Sequence, residues 1–127
     1  MASLVVPVTF KGPRGSKTLR TLIDTGAEMS LIPEDAAKEI GIPIFGEISV
    51  KGAGRAVVEV GRVSGIHIPG AHLCKSGPMM VWVFGKGSIF PGTGIHAILG
   101  YDFMKKSRME IAAFTRTRAL RCKMRKS

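Results

Sequence analysis

One short stretch constrains this chain more than any other: Leu22-Ile23-Asp24-Thr25-Gly26-Ala27. Two apolar residues suited to a buried strand run into a carboxylate, a hydroxyl, a glycine and a second small residue. A strand carrying Leu22 and Ile23 must end where Gly26 permits backbone shapes that side-chained residues resist. Asp24 is thereby expected at the mouth of a tight loop, beside apolar walls rather than in open solvent. A carboxyl so placed is a candidate acid or base, because burial raises its pKa toward working pH. The lesser alternative is a turn aspartate that bonds its own loop, a common role for Asp before Gly. The stretch occurs once.

The rest of the sequence is punctuated as a β protein. Leu4 to Phe10 reads as a strand, 11–16 as its turn, and Thr18 to Ile23 as the return strand that delivers Asp24. Ser30-Leu31-Ile32 is short, apolar and extended. Over 33–41 a helix is expected, with Pro33 at its start, acids in its first turn and Gly41 after its end. Glu47 to Lys51 and Arg55 to Val60 are β-rich arms on either side of Gly52-Ala53-Gly54, which predicts a hairpin. Gly61 and Gly65 suggest bends in a further stretch ending near Ile68. Met79 to Phe84 and Ile95 to Leu99 read as buried strands separated by a loop over 85–94, and Gly100 breaks the second. One or two helical turns follow over 101–106, and Met109 to Phe114 pairs with Ala119 to Lys123 across 115–117. No repeat or linker interrupts the pattern, so residues 1–127 are read as a single domain.

Composition limits the function classes. At 127 residues the chain can bury one modest core, and 45% hydrophobic with 22% charged residues is ordinary for a globular protein. The longest apolar run, 79–84, is too short to span a bilayer, and the N-terminus lacks the basic start and apolar core of a signal peptide. A cytoplasmic location is therefore expected, with Cys74 and Cys122 as reduced thiols. His67, His72 and His96 fall in no recognised ligand spacing, so no metal site is expected. Net charge is +10, and six of the nineteen basic residues lie in the last twelve positions, from Arg116 to Lys126. Such an end can contact nucleic acid or an acidic surface. The chain has one Tyr and one Trp and no aromatics interleaved with the basic residues to stack on bases, which favours a solvated strand face instead.

Asp24-Thr25-Gly26-Ala27 after Leu22-Ile23, with Ile98-Leu99-Gly100 much later, resembles the retropepsin-type aspartic proteases. Alone the Asp-Thr-Gly triplet is weak, since ordinary composition yields such a triplet in roughly one chain in twenty of this length. The flanking residues, the glycine-tipped hairpin, the late Ile-Leu-Gly and the segment Tyr101-Asp102-Phe103-Met104 make the set specific. The terminal hairpin over 109–123 resembles cellular and bacterial members more than the shorter viral enzymes. The stretch 74–96, rich in Gly and Pro, is longer than in the compact viral pattern.

The resemblance implies an all-β fold with one or two short helices, a closed acid-protease β-barrel contributing one lobe per chain. It implies peptide-bond hydrolysis without cofactor or metal. Two carboxyls sharing one proton supply the base that activates water and the acid that protonates the carbonyl oxygen. This sequence holds no second Asp-Thr-Gly or Asp-Ser-Gly, and Asp102 lacks the following glycine, so the second carboxyl is expected from Asp24 of another copy in a homodimer. By the same resemblance Thr25 sends its hydroxyl across the dimer axis, and Gly26 brings its amide to the carboxylate. Ala27 and Glu28 hold the substrate backbone, and the hairpin over 47–60 with Gly52, Ala53 and Gly54 at its tip forms a flap over an extended peptide. Lys51 and Arg55 flank that tip, where they can favour acidic substrates or, as the preferred reading, form a solvated face. Two rival classes remain in view: a catalytically silent dimerisation or peptide-binding module of the same fold, and a basic nucleic-acid-binding β domain.

Overall fold

The computed structural model describes residues 4–50, 56–71, 73–85, 90–107, 109–113 and 118–122. The chain begins with a hairpin of β1 (Leu4–Gly12) and β2 (Gly15–Ile23), paired without interruption from Leu4↔Ile23 to Gly12↔Gly15. Its turn is tighter than the six residues expected, because both strands run on to the glycines beside Pro13-Arg14. Strand alternation decides which side faces inward. Val8 and Phe10 of β1 and Leu19, Thr21 and Ile23 of β2 are buried, while the residues between them are more accessible.

After the Asp24 loop come β3 (Leu31–Pro33) and α1 (Glu34–Ile40). The helix forms where its signals stand: Pro33 holds φ at −75° before it, Glu34 and Asp35 occupy the first turn, and Ala36, Ala37 and Ile40 are buried. Gly41 ends it at φ 70°, a left-handed conformation that lets the amides of Gly41 and Ile42 return to Lys38 O and Ala37 O.

Strands β4 (Ile44–Val50) and β5 (Ala56–Val63) form the expected hairpin; its tip, with Gly52, Ala53 and Gly54, lies outside the described residues. Gly61 is not a bend but a residue inside β5. A Cβ there would stand 3.0 Å from side-chain atoms of Ile42 and Ile44, so the strand needs glycine to pass this close to the hairpin base. Then follow β6 (Gly65–His67), β7 (Lys75–Ser76), β8 (Met79–Phe84), β9 (Ala97–Leu99), α2 (Tyr101–Ser107) and a separate hairpin of β10 (Met109–Ala113) and β11 (Arg118–Cys122).

Nine strands make one sheet in the order β4-β5-β8-β3-β9-β2-β1-β6-β7. The fold is mainly β with two short helices, as expected, and among the described residues the sheet runs open from β4 to β7 rather than closing on itself. Short β9 lies in the middle. It runs parallel to β2, with Thr21↔Ala97 and Ile23↔Leu99 as partners, and meets β3 at Leu31↔Ile98. All three β9 residues are buried. The core gathers Phe10, Ile23, Ile32, Ile40, Val81, Leu99 and Phe103, which are almost wholly removed from solvent. Cys74 is also buried and is disulfide-bonded, which corrects the expectation of a reduced thiol.

Candidate active site

Asp24 follows directly on the last residue of β2. Its amide donates to Leu99 O at 3.0 Å, extending the parallel β2–β9 ladder by one bond before the chain turns away. Ala27 N–H then donates to Asp24 O at 3.2 Å and closes the turn. Inside that turn Gly26 N–H donates to Asp24 Oδ1 at 2.9 Å. A Cβ on residue 26 would stand 3.3 Å from that oxygen, tight enough to disturb the contact. The Asp24 carboxylate is left half-buried, Thr25, Gly26 and Glu28 are exposed, and Ala27 is half-buried. Among the described residues Asp24 Oδ2 accepts no hydrogen bond and the Thr25 hydroxyl makes none.

The loop is held from behind by the junction of β9 and α2. Tyr101 N–H donates to Ala27 O at 2.7 Å and Asp102 N–H to Glu28 O at 3.3 Å. Gly100 N–H donates to Ser30 Oγ at 3.0 Å, and that hydroxyl donates onward to Asp102 Oδ1 at 2.8 Å. Asp102 Oδ2 accepts the Ser30 amide at 3.0 Å, and Oδ1 also accepts the amide of Phe103 at 2.8 Å. Gly100 is where the two segments press together. A Cβ there would come within 2.7 Å of Ala27 O and 2.8 Å of the Met29 carbonyl. The sequence pair Asp24-Thr25-Gly26 and Ile98-Leu99-Gly100 is thus one object in space.

Ser30 and Asp102 are the positions that sequence reasoning missed. From the sequence Asp102 is part of the segment after Gly100 and is unfit to be a second catalytic carboxylate, with no sign of a bracing role. A carboxylate in the first turn of a short helix is a capping signal, but nothing local reveals that its second partner lies 72 residues earlier. Removing it should be costly. Asp102→Ala strands the amides of Ser30 and Phe103, at about 1–3 kcal/mol for each buried donor left unpaired. We expect a loss of about 3 kcal/mol in chemical denaturation. Asp102→Asn should lose roughly half as much, since an amide oxygen can keep both Oδ1 bonds while its NH2 faces another donor at Ser30 N. Equal losses for the two variants would contradict this assignment.

The proposed substrate-binding residues Gly52, Ala53 and Gly54, like Lys51 and Arg55, lie outside the described residues. So does His72, while His67 sits in β6 and His96 next to β9. No group of three or more potential metal ligands occurs among the described residues. Of the basic end, the backbone of β11 alone is described. No helix among the described residues is long and apolar enough to cross a membrane.

A family model for aspartyl proteases matches residues 6–103, from the first strand through the Asp24 loop to the start of α2. The chain belongs to the aspartyl protease family. Solved structures show the same fold at low sequence identity. The retroviral protease-like domain of Ddi1 from Leishmania major superposes with a TM-score of 0.58 at 17% identity, covering 98% of this chain and 96% of that one. The EIAV protease, solved with an inhibitor, gives 0.57 at 19% identity over 82% of this chain and 86% of the viral chain. A retropepsin-like aspartic protease from Rickettsia conorii gives 0.50 at 12% identity, covering 89% and 88%. The fold of this family member is therefore retropepsin-like. No curated protein sequence matches it.

Proposed function

We propose that this chain is an aspartic endopeptidase that works as a homodimer, with Asp24 of each copy forming one catalytic dyad. The reading rests on one observation: a single Asp-Thr-Gly loop is held rigidly from behind while its functional atoms are left open in front. Gly26 N–H bonds one carboxylate oxygen, as it would in any Asp-Gly turn, but the second oxygen and the Thr25 hydroxyl have no partner among the described residues. A turn aspartate kept for structure has no need of that openness.

Two such loops facing across a two-fold axis complete each other. Two like charges brought close cannot both ionise cheaply, so the pair holds one proton between them. The unprotonated carboxylate takes a proton from water, which attacks the peptide carbonyl, and the protonated partner donates to the carbonyl oxygen. The Thr25 hydroxyls fix the separation by reaching the opposite loop. Gly26 sets each carboxylate in place, while Ala27 and Glu28 line the substrate backbone. The β4–β5 hairpin, with Gly52, Ala53 and Gly54 at its tip, covers the bound strand and excludes water.

Dilution tests the proposal directly. With an unfolded casein as substrate, specific activity should fall in proportion to protein concentration once the dimer dissociates, and a statine-type transition-state mimic should abolish it. Constant specific activity in a sample that sediments as a monomer would overturn the shared-dyad reading. Absence of any statine-sensitive cleavage from a concentrated dimer would instead favour the silent binding module.

A further inference from the structure

An apolar cleft of about 580 Å³ opens beside the Asp24 loop and is unassigned by the chemistry above. Its walls include Met29, five residues beyond Asp24, together with Phe45 at the base of the β4–β5 hairpin, Pro78, Met79 and Met80. Phe45 is placed there by a break in the β4–β5 ladder. Ile44 pairs with Gly61 and Gly46 with Val60, so Phe45 is the extra, unpaired residue of a β-bulge. A bulge re-aims a side chain out of the regular alternation. Here it leaves a phenylalanine 62% exposed on the cleft, with Met80 also exposed across from it. An exposed aromatic beside methionine side chains offers a seat for an occupant that brings its own apolar surface.

The rim is cationic. Arg62 lines the cleft directly opposite Met80 in the β5–β8 ladder, is exposed, and has no ion pair among the described residues. Lys106 adds a second positive charge while its ammonium donates to Pro78 O at 3.1 Å. One carboxylate, Asp102, also lines the cleft, but both its oxygens are engaged by Ser30 and Phe103. Glu59 stands three residues from Arg62 on β5, and so does not share its face of the strand; Glu47 pairs with Glu59 and goes with it.

We propose that this cleft is a specificity subsite for an extended peptide, seating one bulky apolar side chain against Phe45 and Met29, while Arg62 selects an acidic residue two positions away. In an extended strand, residues two apart point the same way about 6.6 Å from each other. That spacing lets one enter the cleft while the other meets its rim. The inference rests on the endopeptidase reading for its substrate, but peptide capture by the cleft can be measured without turnover.

The test uses octapeptides with a central Leu or Phe and Glu, Gln or Lys two residues to either side. Their binding to the Asp24→Asn protein is followed by fluorescence anisotropy, and their cleavage by the unaltered protein is followed in parallel. The Glu peptides should bind about three- to tenfold more tightly than the Lys peptides, as expected of an exposed charge pair. That preference should shrink at 0.5 M salt and reverse in Arg62→Glu. Phe45→Ala should weaken every peptide while keeping the charge order. Charge-selective binding without cleavage by the unaltered protein would uphold the subsite and defeat the activity. Cleavage with no charge order, or with an order that survives Arg62→Glu, would overturn the subsite and leave the activity standing. No peptide binding at all would overturn it as well.

Discussion

Asp24→Asn is expected to abolish peptide cleavage, lowering kcat by about 1,000-fold or more while leaving the fold and the proposed dimer intact. The magnitude follows from what is removed. General acid and base assistance contribute roughly 10²–10⁴ in rate each, and in a shared dyad one substitution takes away both in each half-site. Little stability should go with it, because the amide oxygen of Asn can accept from Gly26 N–H as Asp24 Oδ1 does now, and the backbone bond to Leu99 O is untouched. Thermal unfolding and sedimentation of the variant should therefore match those of the unaltered protein. The pH profile gives a second readout. A dyad needing one proton across two carboxyls is inactive with none and with two, so kcat/KM should rise and fall around an acidic optimum. Retained turnover in purified Asp24→Asn, or a flat profile from acid to neutral pH, would remove Asp24 from the chemistry.

Much of the local structure was legible because its signals are local. Pro33 and Gly41 bracket α1 within one residue, and the alternation of Val8, Phe10, Leu19 and Ile23 fixes the inner face of the first hairpin. The loop at Asp24 was legible for the same reason: a glycine two residues after a carboxylate allows its amide to reach back. What could not be read is whatever joins distant segments. Nothing in Ala97-Ile98-Leu99 says that it will insert between β2 and β3, parallel to one and touching the other. Nothing near Ser30 points to Asp102. The bulge at Phe45 is equally silent, since Ile44-Phe45-Gly46 looks like an ordinary strand start until its partner's register is known. Cys74 was misjudged because pairing depends on three-dimensional approach, which spacing does not report.

Gly100→Ala tests whether the two motifs act as one. The added methyl would stand 2.7 Å from Ala27 O and 2.8 Å from the carbon and oxygen of the Met29 carbonyl. These are backbone atoms of the loop that carries Asp24, so no side chain can swing aside to make room. Either β9 retreats or the loop is pushed forward, at about 1–3 kcal/mol for overpacking. The bond from Tyr101 N–H to Ala27 O, now 2.7 Å, would be displaced with it. A shift of about 1 Å in a catalytic group can cost roughly 100-fold in rate. We therefore expect a folded protein with a lowered Tm, about 100-fold less cleavage, and weaker binding of a statine-type inhibitor. Gly77→Ala supplies the comparison, because a Cβ there meets nothing within 4 Å. It should change stability by less than about 0.5 kcal/mol and leave cleavage unaltered. Were Gly100→Ala to behave like Gly77→Ala, the close seat of the Asp24 loop on β9 would have no part in setting the carboxylates.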